Sequence, residues 1–486
     1  FKLLENLEKL SYYDRGAVER GDVKLIDLRE KFPDRIAESK DIINYIAEEV
    51  KALGARRLCI DSITAIAYQY NDRASIRSFI FELGKMLAVL GCTTILISEV
   101  HDSDRYSVYD VEEFISDGII KLRQRYVKDK LRRTLQIVKM RGVEYQPEVY
   151  SFKIDKNGVK LFPRIRTSLS YVSSERKVST GVMKLDGMCN GGVFEGSSTL
   201  VAGPTGSGKT VLSLQFILNG LGNNENCLYV SFEESRDQLL RSTRGFGWDL
   251  ENYEKQGLLT FLCEHPENGY LEEHLAAINN IVEKRGIKRC VIDSLTAIAG
   301  SNPESDFRDF TKKITNYLKL KNVTSFMTSA TSTFMGSEVL TDACLSTLTD
   351  NIILLRYIET RGELSRMVAV LKTRGSDMEK ALREYEITGE GIIVGEPISN
   401  YEGLMAGSSR KIGKSKSEKI RYGFVKTLGD KEGIISFEEA IKGGLSQASM
   451  DQYIDSLVVK EQITSEDGEK LKERVFKILE NIDTGE

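Results

Sequence analysis

The sequence predicts two tandem α/β domains with mixed, largely parallel central sheets, followed by a small helical C-terminal extension. Three observations carry that prediction. First, the chain repeats itself: RRLCIDSITAIA at residues 56–67 is answered by KRCVIDSLTAIA at 288–299. Asp61 pairs with Asp293, and Lys139-Met140-Arg141-Gly142 with Lys372-Thr373-Arg374-Gly375, at offsets of 232 and 233 residues. A near-constant offset over that span marks two homologous domains. Second, each copy alternates short β-branched apolar runs with amphipathic stretches, as at Leu58 to Ile60, Thr93 to Ile97, Cys227 to Phe232 and Ile352 to Leu355. Strands alternating with helices build parallel sheets. Third, the pattern changes after about Ile412, where GKSKSEK forms a basic hinge before helical-looking segments around Tyr422 to Leu428, Phe437 to Lys442, Ser449 to Val459 and Glu466 to Ile482. That order fits a winged-helix or helical-hairpin module, or equally a helical interaction tail.

The expected boundaries are 1–166 for the first domain, 167–180 for a serine- and charge-rich linker, 181–412 for the second domain and 413–486 for the extension. A chain of 486 residues exceeds what one hydrophobic core organises. The second copy places a strand and glycine loop about 85 residues before its Asp293, whereas only 60 residues precede Asp61. The phosphate loop of the first copy is therefore expected upstream of Phe1, the alternative being that this copy lacks a nucleotide site. Composition narrows the function classes. Hydrophobic residues make up 41% and charged residues 29%, and no uncharged apolar run approaches the roughly 20 residues of a spanning helix. A net charge of −4 argues against nucleic acid or an anionic membrane as the main partner. The seven cysteines are scattered singly, without metal spacing, and read as buried thiols of a reducing cytoplasm.

Chemistry concentrates in the second copy. Gly203-Pro204-Thr205-Gly206-Ser207-Gly208-Lys209-Thr210 fits the full phosphate-loop pattern, after the apolar strand Ser198 to Ala202 and before a helix over Val211 to Asn219. Glycines let consecutive backbone N–H groups curl round phosphate oxygens, Lys209 reaches the terminal phosphates, and the Thr210 hydroxyl takes a place on Mg²⁺. The expected ligand is Mg-ATP, with Mg-GTP as the alternative. Glu233 and Glu234 follow the next strand, at the carboxyl edge where ligands of open parallel sheets collect. They are candidate general bases, or else solvated loop acids. Asp293 ends the strand Cys290 to Ile292 and is the candidate second Mg²⁺ residue, or else a cap for the next helix. Lys372 and Arg374 lie two apart on a strand and point the same way, as do Lys139 and Arg141 in the first copy. They read as arginine-finger-like groups that complete a neighbouring subunit's ATP site, or as surface ion pairs.

Taken together, the phosphate loop, the Glu-Glu pair, Ile-Asp-Ser and Lys-x-Arg-Gly resemble the RecA-like P-loop NTPases. Ser231 to Gln238 (SFEESRDQ), Thr333 to Gly336 (TFMG), Ser346 to Asp350 (STLTD) and Arg361 to Ser365 (RGELS) narrow the likeness to the second lobe of the KaiC family of circadian-clock ATPases. Gly181 to Phe194 and Val111 to Asp117 extend it to the interlobe entry and the first lobe, so that it covers residues 1–412. The resemblance implies an ATPase with autokinase and autophosphatase activity, which hydrolyses ATP mainly in its first tier and in its second phosphorylates and dephosphorylates its own Ser346 and Thr347, with Thr341 as a transient acceptor. It also implies a homohexamer with ATP between subunits, stacked into a dodecamer if the extension joins two rings. A KaiB-like partner fits this picture. The sequence departs from the family in three places. The acceptor stretch lacks a histidine, and Phe246, with Trp248 two residues on, stands where a tryptophan stacks on adenine. The long extension also replaces the short peptide that recruits an activator, which argues against a KaiA-like one. The competing readings are a DNA-dependent recombinase or helicase of the same fold, and an ATP-gated assembly scaffold.

Overall fold

The structure is a computed structural model that describes residues 2–32, 39–67, 70, 72–100, 112–127, 130–162, 173–331, 343–360, 363–398, 401–402, 404, 410–411, 416–429, 433, 436–440, 446–460 and 462–480. The chain forms two compact units. One comprises Phe1–Ser170, Glu264–Gly286 and Ala297–Tyr317, the other Tyr171–Cys263, Ile287–Thr296 and Leu318–Glu486.

The second unit is built on a nine-stranded mixed sheet in the order Leu259–Cys263, Cys227–Ser231, Arg289–Asp293, Thr324–Ala330, Ser198–Gly203, Asn351–Thr360, Glu363–Thr373, Arg383–Thr388, Gly391–Pro397. The first six strands run parallel, and the last three continue as an antiparallel meander. The phosphate-loop strand Ser198–Gly203 is central and every residue in it is buried. That is the pattern of a parallel strand covered on both faces. The helix Lys209–Gly222 covers one face with Leu212, Leu214, Phe216, Ile217 and Leu221, and Phe216 stacks on Phe326 with ring centroids 4.0 Å apart. Thr180, in the stretch expected as linker, is fully buried, and its hydroxyl and amide both donate to Asp186.

One charge lies deep in this packing. Arg289, 2% exposed, donates to Glu225 (2.5 Å), the carbonyls of Ser179 (2.9 Å) and Phe216 (3.0 Å), and Asn219 Oδ1 (3.1 Å), with its guanidinium over the Phe216 ring. A planar donor fork satisfied on every side is how a buried cation is tolerated. It ties the start of its strand to the far end of the phosphate-loop helix.

The first unit repeats part of this plan. Arg57–Asp61 and Thr93–Ile97 pair in parallel, and Gly118–Val127, Lys130–Met140, Val149–Asp155 and Gly158–Phe162 form an antiparallel sheet. In the second unit the counterparts of Thr93–Ile97 and Gly118–Val127 flank the phosphate-loop strand. Among the described residues of the first unit no strand fills that position, and the two pieces stand as separate sheets. Consequently Ile95 and Ile120 are 63% and 58% exposed, while their counterparts Phe326 and Ile353 are fully buried.

The extension is helical as expected. Lys416–Leu428, Gln447–Val459, Ser465–Glu480 and a helical stretch at 436–440 enclose a core of Ile420, Phe424, Met450, Ile454, Leu457, Leu471 and Val475. Among the described residues no helix is long and apolar enough to cross a membrane.

Replacing Arg289 by methionine should leave Glu225 without its partner in the packed interior and lower stability by about 3 kcal/mol. Urea unfolding of the intact chain followed by tryptophan fluorescence would register it as an earlier transition.

Candidate functional site

The strand Ser198–Gly203 ends where the chain must turn sharply into a helix, and glycine makes that turn. A Cβ on Gly203 would lie 2.4 Å from the Leu355 carbonyl oxygen. Gly208 holds φ 91° at the helix N-cap, a left-handed conformation that side chains disfavour. The turn leaves the first amides of Lys209–Gly222 without intrahelical partners, which makes this helix start an anion site. Ser207 braces the loop from inside: its hydroxyl donates to the Pro204 carbonyl (2.7 Å), and its own carbonyl accepts from the Tyr385 hydroxyl.

Lys209 Nζ folds back onto the carbonyls of Gly203 and Pro204, both at 2.9 Å. Burial pushes its pKa down, against the pull of Asp293 and Glu233. An ammonium held by two neutral carbonyls has every reason to exchange them for phosphate oxygens.

The two residues expected at the metal lie together. The Thr210 hydroxyl donates to Asp293 Oδ2 at 2.8 Å. Asp293, 6% exposed, also accepts from the Tyr229 hydroxyl on Oδ2 (2.8 Å) and from the Thr328 hydroxyl on Oδ1 (2.5 Å). Its recorded donors are thus hydroxyls of the sheet and the phosphate-loop helix, and none is an amide of the helix that follows it. A hydroxyl beside a carboxylate, both hard oxygen donors, fits Mg²⁺, which prefers one or two protein oxygens together with phosphate and water. The described residues contain no cluster of three or more His, Cys, Asp or Glu side chains that could hold a metal ion.

Glu233 and Glu234 leave the carboxyl end of the strand Cys227–Ser231. The next helix starts at once, because Ser235 and Gln238 close a capping box on Arg236–Arg244. Glu233 accepts a hydrogen bond from Ser294, next to Asp293, so it stands on the Asp293 side of the edge. Glu234 is held through its amide by Ser231 Oγ (2.9 Å). Burial, then Asp293 and Glu233, push its pKa up. Phe246 and Trp248 stack with centroids 4.7 Å apart, forming an aromatic pair with Trp248 against the core.

Lys372 and Arg374 do point the same way, and both reach the carbonyl end of the short helix Ala343–Leu348. Lys372 Nζ donates to the Ser346 and Thr349 carbonyls (both 2.7 Å), and Arg374 to the Thr347 carbonyl (2.9 Å). Burial first, then Arg374 and Lys319, lower the Lys372 pKa, with Asp350 opposing. The first unit repeats the arrangement. Lys139 donates to the Glu113 (2.6 Å) and Ser116 (2.8 Å) carbonyls, and Arg141 to the Phe114 carbonyl (3.1 Å). Thr347 is exposed and Ser346 half-buried on that helix. Thr341, Thr333 to Gly336, and Arg361 lie outside the described residues.

Three functional side chains escaped the sequence reading: Tyr229, Thr328 and Ser294. Tyr229 gave one signal, a phenol in an otherwise small and aliphatic buried strand, two residues before Ser231 and on its face. Thr328 and Ser294 are small hydroxyl residues of a kind common in strands and turns, and only spatial proximity marks them.

Comparison with known proteins agrees with the geometry. The family model described as "ATPase: KaiC" matches residues 2–166 and 178–399. The chain is 40% identical over 396 residues to the circadian clock oscillator protein KaiC of Nostoc sp., covering 81% of this chain and 76% of that protein. It is 39% identical over 371 residues to the protein of the same name from Synechococcus elongatus, covering 76% and 71%, respectively. A third, from Prochlorococcus marinus, is 40% identical over 371 residues, covering 76% and 74%.

Substituting Lys209 by alanine should cut ATP turnover at the second copy's site about 100-fold, the usual cost of removing one preorganised donor to transition-state charge. Steady-state phosphate release measures it, and an unchanged rate would move hydrolysis away from this loop.

Proposed function

The chain belongs to the KaiC family of ATPases, and from that premise we propose that it is a timing or signalling ATPase that phosphorylates its own Ser346 and Thr347, with Thr341 as a transient acceptor. The observation that carries the nucleotide chemistry is the Thr210–Asp293 hydrogen bond beside the N-terminus of the Lys209–Gly222 helix. In this reading the loop amides and Lys209 bind the ATP phosphates, while Thr210 and Asp293 hold Mg²⁺. The cation, when bound, would neutralise charge on the β- and γ-phosphate oxygens.

Glu233, braced by Ser294, accepts the proton of the attacking oxygen. If that oxygen is water, the bond from the γ-phosphorus to ADP breaks and phosphate leaves. If it is a Ser or Thr hydroxyl, the phosphoryl group stays on the protein. Glu234, whose pKa burial raises, is a second carboxyl at this edge. The Phe246–Trp248 pair supports the adenine side by stacking.

The acceptor helix and the cations Lys372 and Arg374 form one hydrogen-bonded piece, which supports delivery of both to a neighbouring subunit's nucleotide in a homohexamer. Lys139 and Arg141 would act likewise in the first tier. Their helix carries Glu113 and Phe114 where the second copy has Ser346 and Thr347, so that tier hydrolyses only. The extension, with its own core, is a surface for joining a second ring or holding a KaiB-like partner. The deeply buried thiols of Cys189, Cys227 and Cys290, whose pKa burial raises, fit a reducing cytoplasm.

Two experiments test this reading. Incubation of the purified chain with Mg-ATP followed by mass spectrometry should place phosphate on Ser346 and Thr347, and a Ser346→Ala, Thr347→Ala double variant should lose it. Phosphate release without phosphate at these positions would leave an ATPase and no autokinase. Glu233→Gln should lower self-phosphorylation, and hydrolysis at the second copy's own site, by 100-fold or more, the usual range for a general base being roughly 10²–10⁴. Retention of either rate would remove Glu233 from that role.

A further inference from the structure

Asp293 is held by more than its expected partner, and two of its donors have no part in the family pattern drawn from the sequence. An ionised carboxylate offers about four lone-pair sites. Here Oδ2 takes the Thr210 and Tyr229 hydroxyls, each at 2.8 Å, and Oδ1 takes the Thr328 hydroxyl at 2.5 Å. Three of the four sites are filled, and the one that remains is on Oδ1.

The two extra donors come from rigid ground. Tyr229 is fully buried in the middle of Cys227–Ser231, packed among the core side chains with Phe261 at 6.1 Å between ring centroids. Thr328 is fully buried in Thr324–Ala330. These strands lie on either side of Arg289–Asp293, so the carboxylate is gripped from both neighbours in the sheet. Thr210 belongs to the nucleotide-binding helix, but Tyr229 and Thr328 belong to the frame. Their bonds persist whatever the loop does.

We propose that Tyr229 and Thr328 are positioning residues that clamp the Asp293 carboxylate from both sides, leaving one lone pair on Oδ1 aimed at the cation-bound water of a Mg-nucleotide, and so set how tightly the site holds its divalent cation. The inference rests on the Mg-nucleotide reading above. A carboxylate gripped by two strands cannot rotate about its Cβ–Cγ bond, so the acceptor is in place before the cation arrives. With phenylalanine at 229 or valine at 328, one oxygen loses its fixed donor and the group is free to turn. Partners of this indirect kind cost about 10- to 100-fold in metal affinity when removed.

The test titrates Mn²⁺, an EPR-visible stand-in for Mg²⁺, into the full chain saturated with a non-hydrolysable ATP analogue, and reads free Mn²⁺. Tyr229→Phe and Thr328→Val should each weaken Mn²⁺ binding about 10-fold. Affinity for the analogue in EDTA should stay as in the parent protein. Equal Mn²⁺ affinity in the parent and both variants would overturn the clamp while leaving the nucleotide reading intact. So would an equal loss of cation-free analogue binding, which is what loosened packing alone would cause. Should one variant fail to fold, the other carries the test. If the parent protein with analogue bound takes up no Mn²⁺, the Mg-nucleotide reading fails and the clamp with it.

Discussion

A carboxylate buried at the carboxyl edge of a parallel sheet must be paired, and much of the second unit is arranged around that requirement. Asp293 ends a strand whose five residues are all buried, so its charge has little access to water. Desolvating such a group is expensive unless its oxygens are met by donors. Hydroxyls from two flanking strands and from the phosphate-loop helix meet them. The Thr210 bond also fixes the distance between the phosphate-loop helix and the edge where Asp293 ends its strand. Burial, which makes the carboxylate costly, also makes its electrostatics strong, and a nucleotide site exploits that combination.

The two copies show which contacts belong to the fold rather than to one site. Lys139 and Lys372 each bridge two carbonyls at the end of a short helix, and Arg141 and Arg374 each take a third, on residues that correspond one to one at an offset of 233. Asp117 and Asp350 pair with those arginines in the same register. Cations at a helix C-terminus are stabilised by its unsatisfied carbonyls and dipole. The pairs therefore have a structural task in each unit, independent of any hydroxyl on the helix. Ser346 and Thr347 occupy positions where the first copy has Glu113 and Phe114, so the side chains on this helix differ between copies while the scaffold is shared.

Where one strand position is unfilled, the physical consequence is visible. The second unit buries Phe326 and Ile353 against the phosphate-loop strand and the helices over it, whereas Ile95 and Ile120 remain largely exposed. Among the described residues a strand lies between the equivalents of Ile95 and Ile120 in the second unit and none does in the first, so the same apolar positions differ in exposure. Burial is a property of the assembled sheet, and no single strand carries it.

Much of this protein was legible in the chain alone. The repeat, the phosphate loop with its strand and helix, the acids at the carboxyl ends of Cys227–Ser231 and Arg289–Asp293 and the helical extension follow from local spacing, because glycine conformations, strand periodicity and helix capping act over a few residues. The order of the nine strands and the use of Lys372 and Arg374 as helix caps did not follow, since each depends on residues dozens to hundreds of positions apart. Thr180 shows the same limit: read as linker from its serine-rich surroundings, it is buried by the partner Asp186 and by packing that composition does not encode. The sequence by itself determined that a phosphate loop exists and that an aspartate ends a neighbouring buried strand. Only the tertiary structure decided that Tyr229 and Thr328 would grip that aspartate, because a buried charge takes its donors from whichever strands the sheet places beside it.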